Sequence, residues 1–212
     1  MSSARAAIFD LAGTLVDSAA DITASKNAVL AERGLPLVGV EDVRPWIGLP
    51  PADFFDHLGL GGDASAAVAD FRAHLAVHVG THSVVYEGVP EALEALGAAG
   101  WRLGVATNKP THLARIALDR AGLLGYFPAV HGPDDRPGKP DPALIQECMA
   151  SLGCTDGMMV GDTIVDIQAA RAAGVTAVLV THGVAPGSDL IAAGPDLVVT
   201  SFPDLLERLG AP

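Results

Sequence analysis

Residues 6–14 read Ala-Ala-Ile-Phe-Asp-Leu-Ala-Gly-Thr. Four apolar residues end abruptly at Asp10, and Gly13 and Thr14 follow at once. A short apolar run closed by a turn is the pattern of a strand buried on both faces that delivers a loop at its carboxyl end. The pattern recurs at Arg102–Ala106, Gly157–Val160, Ala177–Val180 and Leu197–Val199. Helical periodicity fills the intervals, over Val89–Ala99, Thr111–Ala121, Pro142–Leu152, Asp166–Ala173 and Pro203–Leu209. Strand-helix alternation of this kind predicts an α/β fold, a doubly wound parallel sheet with helices on both faces.

One stretch breaks the alternation. From about Val16 to Tyr86 only helical patterns appear, separated by turn material at Gly34-Leu35-Pro36, Gly48-Leu49-Pro50-Pro51 and Gly59–Asp63. The reading is a small all-helical cap, residues 16–86, inserted after the first strand of a core formed by residues 1–15 and 87–212. A chain of 212 residues has room for one full core and such a lobe, not for two large domains.

Half the residues are hydrophobic, which argues against disorder. A net charge of -12 repels polyanions and no basic cluster offsets it, so nucleic acid is not an expected partner. No segment reaches membrane-spanning length, and the short stretch Met1–Ala7 runs straight into a strand without a targeting pattern. The cytoplasm is the expected location, and the oligomeric state is left open. Cys148 and Cys154 are too few for a disulfide framework and read as reduced thiols in or near a helix.

In an open parallel sheet the site forms outside the carboxyl ends of the strands, so the residues that follow the apolar runs carry the information. These include Asp10, Thr107, Lys139 and Asp162. Taken singly, each is also a common helix cap or turn residue. Together, Asp10 and Asp162, with Asp166 one turn later, form a set of hard oxygen donors suited to Mg2+. Thr107 and Lys139 add a hydroxyl and a fixed cation for phosphoryl oxygens.

These segments resemble the four signature motifs of the haloacid dehalogenase superfamily: Asp10-Leu11-Ala12-Gly13-Thr14, Thr107-Asn108-Lys109, Lys139-Pro140-Asp141-Pro142, and Gly161-Asp162-Thr163-Ile164-Val165-Asp166. The resemblance covers essentially the whole chain and implies a Rossmann-like core. It implies that Asp10 is a nucleophile forming an aspartyl-phosphate, and that Thr107 and Lys139, with Gly13 and Asn108, hold the phosphoryl group. It further implies Mg2+ on Asp10, Asp162 and the backbone carbonyl of Ala12, with Asp166 supporting. The helical insert looks like the cap of the phosphoglycolate phosphatase and β-phosphoglucomutase branch, so the expected substrate is a small phosphorylated metabolite, phosphoglycolate by default. The dehalogenase branch needs no metal and is disfavoured by Asp162 and Asp166.

Position 12 departs from the pattern. Most phosphatases of the superfamily carry Asp there, to protonate the leaving oxygen and then activate water. The methyl of Ala12 does neither. A substrate with a good leaving group, a knock-out, or a different acid would each account for it. Phosphonoacetaldehyde hydrolase shares the Ala and cleaves a carbon-phosphorus bond through a Schiff-base lysine from its cap. Here the cap has only Lys26, in its first helix, while the loop at Gly48–Pro51 where that lysine is sought holds prolines. A phosphatase lacking its acid-base is therefore the leading reading. Phosphonate cleavage and a catalytically impaired phosphometabolite-binding protein are the alternatives.

Weaker signals remain. Arg44 and Gly48, in a cap loop facing the crevice, are candidates for substrate binding, with a solvent-exposed Arg beside a packed Trp46 as the plain alternative. His74, His78 and His82 fall four apart on one helix, a spacing open to metal, yet lack nearby Cys ligands. Lys109 and His112 flank the Thr107 loop and are candidates to meet the substrate, with a helix N-terminal surface pair as the favoured reading. Glu87, Glu91 and Glu94 read as a solvated helix face.

Overall fold

The computed structural model describes residues 4–182 and 187–210. The first three residues of the Met1–Ala7 segment lie outside that range. In chain order the elements are β1 (Arg5–Phe9), β2 (Val16–Asp17), α1 (Ala19–Glu32), α2 (Val40–Val43), α3 (Pro51–His57), α4 (Ala64–His78), β3 (Val84–Val85), α5 (Val89–Ala98) and β4 (Arg102–Ala106). They continue with α6 (Thr111–Arg120), β5 (Ala129–His131), α7 (Ala143–Leu152), β6 (Asp156–Gly161), α8 (Ile164–Ala173), β7 (Thr176–Val180), α9 (Ser188–Ala192), β8 (Leu197–Val199) and α10 (Phe202–Leu209).

Six strands form one parallel sheet in the order β5-β4-β1-β6-β7-β8. The chain leaves β1 in both directions, so β1 sits at the switch point, where crevices open in doubly wound sheets. Phe9 lies in register with Val105 on one side and Val160 on the other. That register brings Asp10, Thr107 and Asp162 to one edge of the sheet.

Strand alternation divides the interior. Ala7 and Phe9 join an apolar cluster with Leu93, Leu113 and Leu205, while Ala6 and Ile8 join one with Ile145, Cys148 and Ile167. Phe9 stacks on Phe202 and meets the edge of Phe127, both with ring centroids 6.1 Å apart. The first cluster runs on through Leu11, Leu15 and Val16 into Ile22, Phe54, Phe71 and Leu75 of the helical insert. The insert and the sheet therefore share one continuous apolar interior.

All five strands expected from apolar runs are present, to within two residues. Four elements are additional. β5 is an edge strand of three residues between Pro128 and Gly132-Pro133, too short to carry a run. β2 and β3 pair antiparallel as a two-residue ribbon where the chain enters and leaves the insert, so the helical part begins only at Ala19. α9 is a single short turn of helix. Both cysteines are free and buried, and burial pushes the Cys148 thiol up to about 12, which leaves it protonated and unreactive. Among the described residues no helix is long and apolar enough to cross a membrane.

Asp21 fastens the return of the insert. Its buried carboxylate accepts from Gly80 N–H at 2.9 Å, His82 N–H at 2.8 Å and Ser83 Oγ at 2.6 Å. Asp21→Ala leaves those donors without their acceptor and is expected to cost at least about 2 kcal/mol. Urea unfolding of both proteins measures it, and an unchanged midpoint would mean that the ribbon alone holds the junction.

Candidate active site

Four elements converge on one group of charges. β1 ends at Asp10, β6 ends just before Asp162, the first turn of α8 carries Asp166, and the loop before α7 carries Lys139. One oxygen from each of Asp10, Asp162 and Asp166 lies within 4.8 Å of the others, and all three residues are buried. The Lys139 ammonium donates to Asp10 Oδ1 at 2.7 Å and to Asp166 Oδ1 at 2.6 Å. Asp166 Oδ2 accepts from the Thr163 backbone at 3.0 Å and from Thr163 Oγ1 at 2.5 Å, an arrangement that closes the first turn of α8. Thr14 Oγ1 donates to Asp162 Oδ1 at 2.8 Å.

Gly13 makes this approach feasible. Its φ of +89° is a conformation L side chains rarely adopt, and a Cβ there would overlap the Asp162 carboxylate. The loop is closed by Gly13 N–H donating to Val16 O at 2.9 Å.

Burial, the larger effect, pushes the Asp10 carboxyl up, and Lys139 pulls it only partly back. Asp162 is held well above the usual carboxylate range by burial and then by Asp166 and Asp10. Burial alone would lower Lys139, but the two aspartates outweigh it and hold the ammonium above its ordinary value. Asp162 Oδ2 is buried without a hydrogen-bond partner. An orphaned carboxylate oxygen beside two more carboxylates fits a small hard dication such as Mg2+.

Above this floor lies a cavity of about 510 Å3. Its core side includes Asp10, Ala12, Thr107, Asn108, Lys109, His112 and Lys139, and its cap side includes Ile22, Lys26, Trp46, Gly48, Phe71 and Arg72. Thr107 Oγ1 accepts from Lys109 N–H at 3.3 Å. The Asn108 side chain ties two loops together: Oδ1 accepts from Lys139 N–H at 2.7 Å, and Nδ2 donates to Lys139 O at 3.1 Å and, more weakly, to Gly48 O at 3.4 Å. Gly48 thus meets the core through its backbone.

Three expectations change. Lys109 and His112, favoured as a surface pair at a helix N-terminus, line the cavity beside the start of α6. Arg44 does not line the cavity, because its guanidinium is taken by Asp17 at 3.0 Å and Glu41 at 3.0 Å. Lys26, set aside in the sequence because it stands far from the proline loop, does line it, because the helical phase of α1 turns it inward beside Ile22. The histidine row separates: His74 pairs with Glu32 at 3.0 Å, and among the described residues the only metal-competent cluster is the aspartate triad.

A parallel sheet with buried carboxylates at its carboxyl edge and a helical lobe over them defines a recurring class of hydrolase architecture. The chain belongs to the haloacid dehalogenase-like hydrolase family, whose pattern matches residues 7–180. It is 38% identical to phosphoglycolate phosphatase 1 of Pseudomonas aeruginosa, over 95% of this chain and 78% of that one. It is also 38% identical to a phosphoglycolate phosphatase of Cereibacter sphaeroides, over 95% of this chain and 97% of that one. The crystal structure of a predicted phosphoglycolate phosphatase from Haemophilus somnus superposes with a TM-score of 0.85 at 28% identity, covering 99% of each chain.

The raised Asp162 has a direct consequence. A carboxyl whose folded pKa exceeds its unfolded value binds protons more tightly in the folded state, so metal-free stability falls as pH rises above roughly 4. In EDTA, Asp162→Asn is expected to melt higher than the parent at pH 7, and the gain is expected to shrink as pH falls toward 4. Mg2+ is expected to raise the melting temperature of the parent and not of the variant. A variant that melts lower than the parent in EDTA would contradict this account.

Proposed function

We propose that the chain is a Mg2+-dependent phosphomonoesterase acting on a small phosphorylated metabolite of the phosphoglycolate kind through Asp10. The observation that carries this is the aspartate triad with Lys139 at the floor of a capped cavity. Asp10, Asp162 and the backbone carbonyl of Ala12 would hold the ion, Asp166 supporting. Bound there, Mg2+ neutralises charge that would otherwise keep a carboxylate away from a phosphate dianion.

The remaining roles fall to the chain's own groups. Asp10 attacks phosphorus as the ester oxygen departs, and water then releases inorganic phosphate from the aspartyl-phosphate. Thr107 and Lys139 hold the phosphoryl oxygens and stabilise the charge that develops on them. Asn108 fixes the Lys139 loop, since both its amide atoms bond to the Lys139 backbone. Ala12 lines the cavity but offers no proton, so departure of an alkoxide is the disadvantaged step.

Phosphate release from phosphoglycolate, sugar phosphates and an aryl phosphate, with Mg2+ or EDTA, tests the reading. Ala12→Asp is expected to speed the alkyl esters by about a hundred- to ten-thousandfold and the aryl ester, a better leaving group, far less. Asp10→Asn is expected to be inactive in either background. No gain from Ala12→Asp would refute the missing-acid account. Binding of phosphate with Mg2+ but no aspartyl-phosphate on Asp10 would mark a binding protein instead.

A second reading, phosphonate cleavage, gains from one observation: Lys26 lines the same cavity as Asp10 and Ala12. Carbon leaving as an enamine needs no acid at position 12. Borohydride added with a carbonyl phosphonate is expected to leave Lys26 unlabelled under the leading reading and to label it under this one.

A further inference from the structure

Six charged side chains are buried in the described structure: Asp10, Asp21, Lys26, Lys139, Asp162 and Asp166. Five of them hold hydrogen bonds or ion pairs. Lys26 is the exception. It is 2% exposed, and among the described residues it has neither a hydrogen bond nor a counter-ion. Its ammonium lies over the Phe54 ring, whose centroid is 3.7 Å from Nζ. A ring face offsets only part of the cost of removing an ammonium from water.

An unpaired buried amine is expensive, and a Met or Leu at that position would satisfy the packing of α1 without the cost. Lys26 nevertheless lines the cavity. Of the residues on the cap side of that cavity, only Lys26 and Arg72 are charged, and both are positive in a chain whose net charge is -12. Arg44, the other cap cation read as a substrate contact, is already neutralised by Asp17 and Glu41.

We infer that Lys26 reads a second anionic group on the substrate, so that the cap selects short phosphomonoesters bearing a carboxylate at the end opposite the phosphoryl group. This rests on the phosphomonoesterase reading. Of the two cap-side cations only Lys26 is buried, Arg72 being exposed, so a monoanion neutralises the enclosed charge, whereas a second phosphoryl dianion would leave buried charge uncompensated. Burial lowers the amine to about 7. An incoming carboxylate would favour its charged form, coupling recognition to desolvation under the cap.

The test measures binding in Mg2+, which does not depend on turnover, for the parent, Lys26→Met and Lys26→Arg. The probes are phosphoglycolate, 2-hydroxyethyl phosphate, a two-carbon bisphosphate and inorganic phosphate. The parent is expected to prefer phosphoglycolate over 2-hydroxyethyl phosphate by at least tenfold. Lys26→Met is expected to lose that preference while binding inorganic phosphate as the parent does, and Lys26→Arg to keep most of it. Because Lys26→Met removes a buried unpaired charge, it is expected to fold at least as stably as the parent, which thermal melts will verify.

Equal affinity of the parent for the two esters, or an undiminished preference in Lys26→Met, would overturn the assignment while the phosphatase reading stands. Tightest binding of the bisphosphate would overturn the carboxylate. Failure of the parent to bind inorganic phosphate with Mg2+ would remove the phosphatase reading and this inference with it. Borohydride trapping at Lys26 would assign the amine to carbonyl chemistry instead.

Discussion

Three carboxylates with oxygens buried within 4.8 Å of one another cannot all ionise without positive charge among them. Lys139 supplies one unit, bridging Asp10 and Asp166, and leaves Asp162 without a cation of its own. Much of the surrounding architecture serves that arrangement. Parallel pairing of β1 with β6 sets Asp10 beside Asp162, and the left-handed turn at Gly13 keeps a side chain out of the space Asp162 needs. Thr163 holds the far oxygen of Asp166, so its near oxygen stays aimed at Lys139. Repulsion that would destabilise an ordinary core is kept here in a form that a dication would relieve.

The core was legible because burial on both faces leaves an unambiguous mark. β1, β4, β6 and β7 each read as an apolar run ending at a turn, and their pairing follows from the alternation with helices. β5 left no such mark, since three residues at the sheet edge need not be continuously apolar, and neither did the two-residue ribbon of β2 and β3. The floor of the site was legible for a related reason: Asp10, Thr107 and Asp162 each stand at the first position past a strand, where sequence order and spatial position coincide. The cap side offered no such rule. Whether Arg44 or Lys26 meets the cavity depends on helical phase and on which carboxylates lie within reach, and Asp17, 27 residues from Arg44, decided the matter.

The insert is less separate from the core than its sequence pattern implies. One apolar cluster passes through the junction, and polar ties reinforce it from both sides. Asp21 of α1 takes three donors from residues 80–83, and Arg120 of α6 donates to Val79 O and Thr81 Oγ1. At the opposite end the contact is slight, Asn108 reaching Gly48 O at 3.4 Å. A lobe anchored at its base and weakly held at its tip has its freedom concentrated where substrate must enter.

Ala12 divides the chemistry of this site in two. On the proposed reading, the groups that would bind and polarise a phosphoryl group, Thr107 and Lys139, are both present beside Asp10 in the cavity. What the Ala12 methyl removes is a mobile proton. Neither charged group nearest Asp10 on the floor replaces it readily: Lys139 is locked between two carboxylates and held above its ordinary pKa, and Asp162 is the group that would hold the metal. On the proposed reading, the rate of phosphoryl transfer to Asp10 would then follow the stability of the departing group more steeply than it would with an acid in place. Hydrolysis of the proposed aspartyl-phosphate, which needs a base for its water, would inherit the same defect. A site of the proposed kind would discriminate among substrates by leaving group as well as by shape, and an amine in the cap wall would matter more with slow chemistry beneath it, because slow chemistry lets binding equilibrate before the bond breaks.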